Sequence, residues 1–187
     1  SIGWSHGHGS SHRIVFGDGF MYSLSWHGLC QDAAVGIDIE KADYILSFSS
    51  GILDGWGSSV RMFRANSRLK DSKGRLIQFE SRLSATAAKA DRWVPIAPGT
   101  EGILAMGFCR VILEESLYDP TFVDHYTHGF DQFKNHVLGQ YPLSEVSKTT
   151  GVDPGVIIAL ARDFARASAP LASVPGYPRT DLHQNRR

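Results

Sequence analysis

Cysteine is nearly absent: the 187 residues hold only Cys30 and Cys109. Two cysteines make no disulfide framework, and they cannot by themselves hold an iron–sulfur cluster, which takes about four thiolates. Charge of one sign is also lacking. Nineteen Lys and Arg balance nineteen Asp and Glu, so nothing draws the chain as a whole to nucleic acid or to an anionic membrane surface. No apolar run reaches the ~18 residues that span a bilayer, and direct membrane insertion is not expected. There is no internal repeat and no low-complexity linker. No Gly-x-Gly-x-x-Gly follows the first expected strand, which argues against an ordinary NAD-binding domain.

What is present is enough for one domain with a core: an apolar fraction of 42% is ordinary for a globular protein. Residues 1–37 read as a loop-rich segment with one short helix at most, and stretch 1–36 carries His6, His8, His12 and His27, half of the histidines. Residues 38–178 read as the organised domain, and 179–187 as a polar tail. The chain begins with Ser1, and we expect it to be a piece of a longer protein.

Within the domain, the apolar run at 44–48 ends in Ser49-Ser50-Gly51, the pattern of a buried strand and a small-residue turn. A crossover helix is expected over 56–69, with Val60, Phe63 and Leu69 inward. A second strand follows at 75–79, a short helix at 83–91 and a third strand at 93–96. The clearest helix is 100–117, where Ile103, Leu104, Phe108, Val111 and Ile112 recur at helical spacing and Thr100 stands ready to cap. Asp119-Pro120 starts another helix, with Phe122, Val123 and Tyr126 on one face. Helices over 130–138, 142–149 and 155–167 follow, with Asp153-Pro154 capping the last. A final strand is expected at 171–174. Alternation of strands and helices predicts an α/β fold, a Rossmann-like parallel sheet with helices on both faces and ligands at the carboxyl ends of the strands.

That geometry brings three segments to one edge: Phe48-Ser49-Ser50-Gly51, Glu80-Ser81-Arg82 and Pro98-Gly99-Thr100-Glu101. Small residues let backbone N–H groups approach phosphate. A carboxylate accepts two hydrogen bonds from ribose hydroxyls or from a guanine edge, and an Arg pairs with phosphate or stacks on a base. Plainer readings stand beside these. The Ser-Ser-Gly is also a simple turn, Glu101 also suits a helix N-terminus without any ligand, and Glu80 with Arg82 is also a surface pair of little worth.

Three stretches carry a resemblance: "DIEKADYILSFSSGILDGWGSSVR", "GRLIQFESRLSATAAKADRWVPIAPGTEGILAMGFCRVILEESLYD" and "VSKTTGVDPGVIIALARDFA". In order and spacing they resemble the catalytic subunits of molybdopterin oxidoreductases of the dimethyl-sulfoxide-reductase type. "GILDGW" is most similar to the thiosulfate, polysulfide and tetrathionate reductase branch, or to related quinone-linked complexes. The resemblance implies a domain that binds molybdopterin guanine dinucleotide with molybdenum. The family's Gly-Ser-Asn turn stands here as Ser49-Ser50-Gly51, with Asp54 where the family often has Glu. Its Asp-Pro-Arg stands as Glu80-Ser81-Arg82, with Ser84 just beyond. Its Pro-Gly-Thr-Asp stands as Pro98-Gly99-Thr100-Glu101, whose acid would recognise guanine while Glu80 serves the ribose side.

"HGLCQDAAVG" lies where many members place the cysteine that ligates molybdenum. Cys30 would then be the metal ligand, a thiolate on a soft metal, with His27 lining the active site. Cys30 also reads as a small buried residue, and its link to Asp38 is shorter than the family's. The His6-Gly7-His8 spacing is a weak metal signal, and Cys109 reads as core.

The resemblance further implies two-electron redox chemistry on a small substrate containing sulfur or another group. It implies electron transport through an iron–sulfur partner subunit with a membrane anchor subunit, and a periplasmic or membrane-associated place in a bacterium or archaeon. Any iron–sulfur cluster of the catalytic subunit would lie in parts of the parent outside this chain. A rival reading is a cofactor-free structural relative, a scaffold in a membrane-bound, quinone-linked electron-transfer complex.

Overall fold

The computed structural model describes residues 13–16, 39–54 and 58–174, with backbone alone at 13–16 and at Val174. Five strands form one sheet: β1 (Arg13–Phe16), β2 (Tyr44–Phe48), β3 (Arg75–Phe79), β4 (Arg92–Val94) and β5 (Pro170–Val174). Their order is β1-β5-β2-β3-β4, and every neighbouring pair is parallel. Between them run α1 (Ser59–Asp71), α2 (Ala85–Lys89), α3 (Glu101–Glu114), α4 (Pro120–Tyr126), α5 (Phe130–Gln140), α6 (Leu143–Thr150) and α7 (Pro154–Arg166). The chain steps outward from β2 to β4, then returns through five helices to place β5 on the other side of β2. That reversal is the topological switch beside which open α/β sheets bind ligands, at their carboxyl edge.

β2 is buried along its whole length, as a strand covered on both faces must be. On one face Tyr44, Leu46 and Phe48 join Ile77, Phe79 and Val94 against α3, α6 and α7. On the other, Ile45, Leu76 and Leu171 pack on Met62, Ala65 and Leu69 of α1. Phe48, Phe79 and Phe108 form an aromatic triangle with centroids 5.0, 5.4 and 5.8 Å apart. Each such pair adds about 0.5–1.5 kcal/mol beyond the area it buries. The triangle ties β2, β3 and α3 together directly below the edge where Ser49, Glu80 and Glu101 emerge. α3 lies close on α6 because residue 107 is glycine: a Cβ there would meet Val146 Cγ1 at 2.7 Å.

The expected parallel strands at 44–48 and 75–79 are present with those bounds, and the third runs Arg92–Val94. Three expectations change. The stretch Arg13–Phe16, read as loop, is a strand on β5; four residues are too few to display a period. On α1, Leu69 is inward, but Val60 and Phe63 are exposed and Met62, Ala65 and Asn66 face the core. The polar Asn66 interrupts the inward stripe and made the neighbouring stripe look more apolar. Thr100 occupies the N-cap position of α3, yet its hydroxyl donates to the Ala97 carbonyl at 2.6 Å and caps no helix N–H. Asp119 and Asp153 do cap α4 and α7. No residue of α4 is buried, so its Phe122 and Tyr126 are exposed.

Among the described residues the buried Tyr44 hydroxyl has no hydrogen-bond partner. Burial, helped by the charge of Asp163, pushes its phenol from 10.0 up to about 12. Below pH 10 both states keep the proton, so this group's contribution is intact. Between pH 10 and 12 only the unfolded state releases it, and stability falls by up to ~1.4 kcal/mol per pKa unit. Tyr44→Phe removes both that loss and an unpaired hydroxyl costing about 1–3 kcal/mol. Urea midpoints from pH 7 to 11 should show the variant at least as stable at pH 7 and less sensitive to alkali. A wild-type midpoint that falls no faster than the variant's would refute this.

Candidate functional site

Phe48 and Phe79 stand opposite each other in the β2–β3 register. The residues after them therefore leave the sheet side by side. Ser49 turns at φ 50°, a left-handed conformation unusual for a residue with a Cβ. Its N–H donates to the Phe79 carbonyl at 2.7 Å. Its hydroxyl donates to Glu101 Oε1 at 2.7 Å, with the Phe79 carbonyl a further 3.3 Å contact. This bond joins the first turn to the start of α3, across 52 positions of sequence. Among the described residues no donor is placed on Glu101 Oε2. Gly99 supplies the bend before α3 at φ +77°, with open space where a side chain would stand.

Glu80 is built differently. It is buried, and both of its oxygens are engaged: Oε2 accepts from the Ser84 hydroxyl at 2.6 Å and the Gln78 amide at 3.2 Å, and Oε1 accepts from Arg82 Nε at 3.3 Å. Ser84 meanwhile accepts from Ala87 N–H and caps α2. The Arg82 side chain is 79% exposed, so the ends of its guanidinium face solvent and the pair itself stabilises little. The Trp93 indole N–H donates to the Glu80 carbonyl at 3.0 Å.

Below the turns lies a row of buried polar side chains that sequence reasoning missed. Ser173, Ser47 and Gln78 are register neighbours on β5, β2 and β3, with Trp93 next to Gln78 on β4. The first three are fully buried. All three hold Ser50: Ser47 Oγ and Gln78 Nε2 donate to its carbonyl at 3.2 and 3.3 Å, and Ser173 Oγ to its hydroxyl at 3.0 Å. A signal was present. Ser47 in "YILSF" and Gln78 in "RLIQF" are each a polar residue set between apolar ones, one position before the strand's end.

The structure thus brings Ser49, Ser50, Glu80, Arg82, Ser84, Gly99, Thr100 and Glu101 to one edge. Phe48 contributes only backbone there, since its ring is in the core. Ser81 and Asp54 are exposed beside it. The turn's N–H groups are largely engaged: Ser49 to Phe79 O, Ile52 to Ser50 O, Leu53 to Thr86 Oγ1 and Asp54 to Gly51 O. Among the described residues those of Ser50 and Gly51 have no partner, and of the two only Gly51 is exposed. Cys30 and His27 lie outside the described residues, as do His6 and His8. Cys109 is half-buried, and burial pushes its thiol up. Among the described residues no three His, Cys, Asp or Glu groups converge on a metal site. A concavity of about 830 Å³ at Tyr118, Val123, His125, His128 and Phe130 gathers none of the expected site residues.

A parallel sheet with helices on both faces, and with acids and small residues at its carboxyl edge, is the architecture of dinucleotide-binding α/β domains. The chain belongs to the molybdopterin oxidoreductases. It is 39% identical over 111 residues to acetylene hydratase of Syntrophotalea acetylenica, covering 59% of this chain and 15% of that protein. It is 32% identical over 147 residues to the thiosulfate reductase molybdopterin-containing subunit of Salmonella typhimurium, covering 78% and 19%. Among solved structures, acetylene hydratase from Pelobacter acetylenicus superposes with a TM-score of 0.64 at 32% identity, over 74% of this chain and 18% of that one. No family model matches. The chain spans less than a fifth of the length of each of these relatives.

The Ser49–Glu101 bond is testable on stability alone. Ser49→Ala removes a hydroxyl donated to a carboxylate and keeps the left-handed strain. Ser49→Gly loses the same bond but relieves the strain. We expect Ser49→Ala to cost about 1.5–3 kcal/mol in urea unfolding and Ser49→Gly about 1 kcal/mol less. Equal losses in the two variants would show that the backbone conformation carries no strain.

Proposed function

We propose that residues 38–178 form the part of a molybdopterin-dependent oxidoreductase that holds a molybdopterin guanine dinucleotide. The observation that carries this reading is the open oxygen of Glu101, held in place through Oε1 by Ser49 at the same edge as the solvent-facing Arg82. A guanine edge offers N–H donors, and a phosphate offers acceptors. A carboxylate with a vacant oxygen and a guanidinium with free N–H groups complement the two ends of such a nucleotide. The residues present therefore fit the group.

When bound, the molybdenum centre supplies two-electron chemistry with transfer of an oxygen or sulfur atom. The chain's own residues bind and orient. Glu101 faces the base, Arg82 the phosphate or ribose, and the N–H of the exposed Gly51 a phosphate oxygen. Cys30 would hold the metal with His27 nearby. A small sulfur-containing substrate, an iron–sulfur partner subunit, a membrane anchor subunit and a periplasmic setting complete the reading. It is supported by the relatives, a thiosulfate reductase molybdopterin-containing subunit among them. No helix among the described residues is long and apolar enough to cross a membrane. A second reading, a cofactor-free scaffold in a quinone-linked complex, is favoured by one observation: most N–H groups of the first turn already have internal partners.

Titration of guanosine diphosphate into the full chain separates the two. The first reading expects binding, with adenosine diphosphate weaker. Glu101→Gln keeps the size of the side chain but sets an amide donor against the donors of the base, and should weaken binding at least ~10-fold, since ~1.4 kcal/mol is tenfold. Glu114→Gln, at a carboxylate that pairs with Arg110 at the far end of α3, should leave it unchanged. No binding by the wild type favours the scaffold. Binding that is equal in wild type and Glu101→Gln reduces Glu101 to a helix-start charge.

A further inference from the structure

We infer that Gln78 is a positioning residue that ties the turns after β2 and β3 together, and that Glu80 is the internal anchor of that tie and not a ligand contact. Its bearing on nucleotide binding rests on the dinucleotide reading above.

Gln78 is wholly buried in the second-to-last position of a central strand. Its amide nitrogen donates to the Ser50 carbonyl at 3.3 Å and to Glu80 Oε2 at 3.2 Å. Both partners are pure acceptors, so the amide has one workable orientation: reversed, its oxygen would face two acceptors. In that orientation Gln78 Oε1 has no partner among the described residues. A buried carbonyl without a donor destabilises the fold, and an apolar side chain of similar volume would avoid the cost. The two donations are what this polar side chain provides. Among the described residues it is the one side chain that hydrogen-bonds to both Ser50 and Glu80.

The consequence for Glu80 comes from its partners. Ser84, Gln78 and Arg82 donate to both carboxylate oxygens, and the side chain is only 12% exposed. Three donors take up most of the roughly four acceptor positions of a carboxylate, so a ligand hydroxyl would have to share Oε1 with Arg82 or displace one of them. Through Ser84 it also steadies the cap of α2, and the Thr86 hydroxyl of α2 holds the Leu53 N–H of the first turn. The two turns are therefore linked twice, through Gln78 and through α2. Their spacing sets the distance from Ser49 and Glu101 to Arg82, the groups left to meet a nucleotide.

The test uses the full chain, with Gln78→Met, Glu80→Ala, the double variant and the conservative Glu80→Gln. In ligand-free protein, hydrogen exchange should quicken roughly tenfold at the Ile52, Leu53 and Ala87 amides in Gln78→Met. Exchange in α3, at Leu104 and Phe108, should stay as it is. Glu80→Ala should quicken Ile52 as well, although Glu80 lies on the other turn, and Glu80→Gln, which keeps an acceptor for Gln78 and Ser84, should restore it. If Gln78→Met fails to fold, the Ile52 response to Glu80→Ala decides alone. Unchanged exchange at Ile52 overturns the tie, whether or not nucleotide binds.

Guanosine diphosphate is the second probe. Gln78→Met should bind it roughly tenfold more weakly, the scale seen when a group that orients a ligand-binding residue is removed. The double variant should be no weaker than Gln78→Met, because a tie cut at one end is already cut. Additive losses would make Glu80 a separate ligand contact and overturn the assignment. If the wild type binds no guanosine diphosphate, the dinucleotide reading fails, and the exchange data still decide the tie.

Discussion

The register of β2 against β3 is the constraint on which the rest of the edge depends. It sets Phe48 opposite Phe79 and Ser47 opposite Gln78. On one face the two rings, with Phe108, close the aromatic triangle that anchors α3. On the other, Ser47 and Gln78 meet below Ser50. A slip of one residue would exchange the faces. It would drive Gln78 into the aromatic layer and put Phe79 among the serines. Each face thus enforces the register that the other needs, and the register delivers Ser49 and Glu80 to the edge as neighbours.

The two faces do different work. The aromatic side is held by area and packing, at about 1.5–3 kcal/mol for each fully buried Phe, and it tolerates small shifts because its contacts are not directional. The polar side adds less stability, since each hydrogen bond nets about 0.5–1.5 kcal/mol, but its geometry is narrow. Three strands converge on the one residue Ser50. Such a network rigidifies a turn and leaves it few alternative positions. A floor of apolar residues would hold the sheet as well without fixing where the turn's remaining N–H groups point.

Much of this was legible in the sequence. The bounds of β2 and β3 were visible because an apolar run stops at residues that cannot continue it: Ser-Ser-Gly in one case, Glu-Ser-Arg in the other. α7 was visible from Asp153-Pro154 at one end and an apolar stripe along its length. What escaped were features set by tertiary contact. A buried Asn66 made the wrong stripe of α1 look inward. Arg13–Phe16 has the residues of a strand but becomes one only through β5, 158 positions away in the pairing of Arg13 with Leu171. Ser47, Gln78 and Ser173 are ordinary one at a time, and their meaning appears only when three strands lie in register. At the candidate site the residues were legible and their duties less so. Glu80 and Glu101 both read as ligand-facing acids, and nothing local to either told that one is closed in by Gln78, Ser84 and Arg82 while the other keeps an open oxygen.

That difference originates in the path the chain takes on leaving each strand. After β3 the chain turns at once into the short helix α2, whose cap, Ser84, lies four residues beyond Glu80 and within reach of its carboxylate. Glu80 is folded back onto its own neighbours. After β4 the chain continues through Ile96 and the bend at Gly99 before α3 begins, so Glu101 starts its helix clear of the sheet, and among the described residues its carboxylate takes a hydrogen bond from Ser49 alone. The helix N-terminus favours negative charge there, which offsets the cost of leaving one oxygen without a protein donor. Arg82 is tethered through Nε and open at its terminal nitrogens. The edge therefore presents an acceptor at the α3 end and donors at the β3 end. That polarity argues for a ligand whose own donors and acceptors are separated in the same way, as a guanine base and its phosphate are. An adenine edge, which offers an acceptor where guanine offers a donor, would set a lone pair against the carboxylate of Glu101.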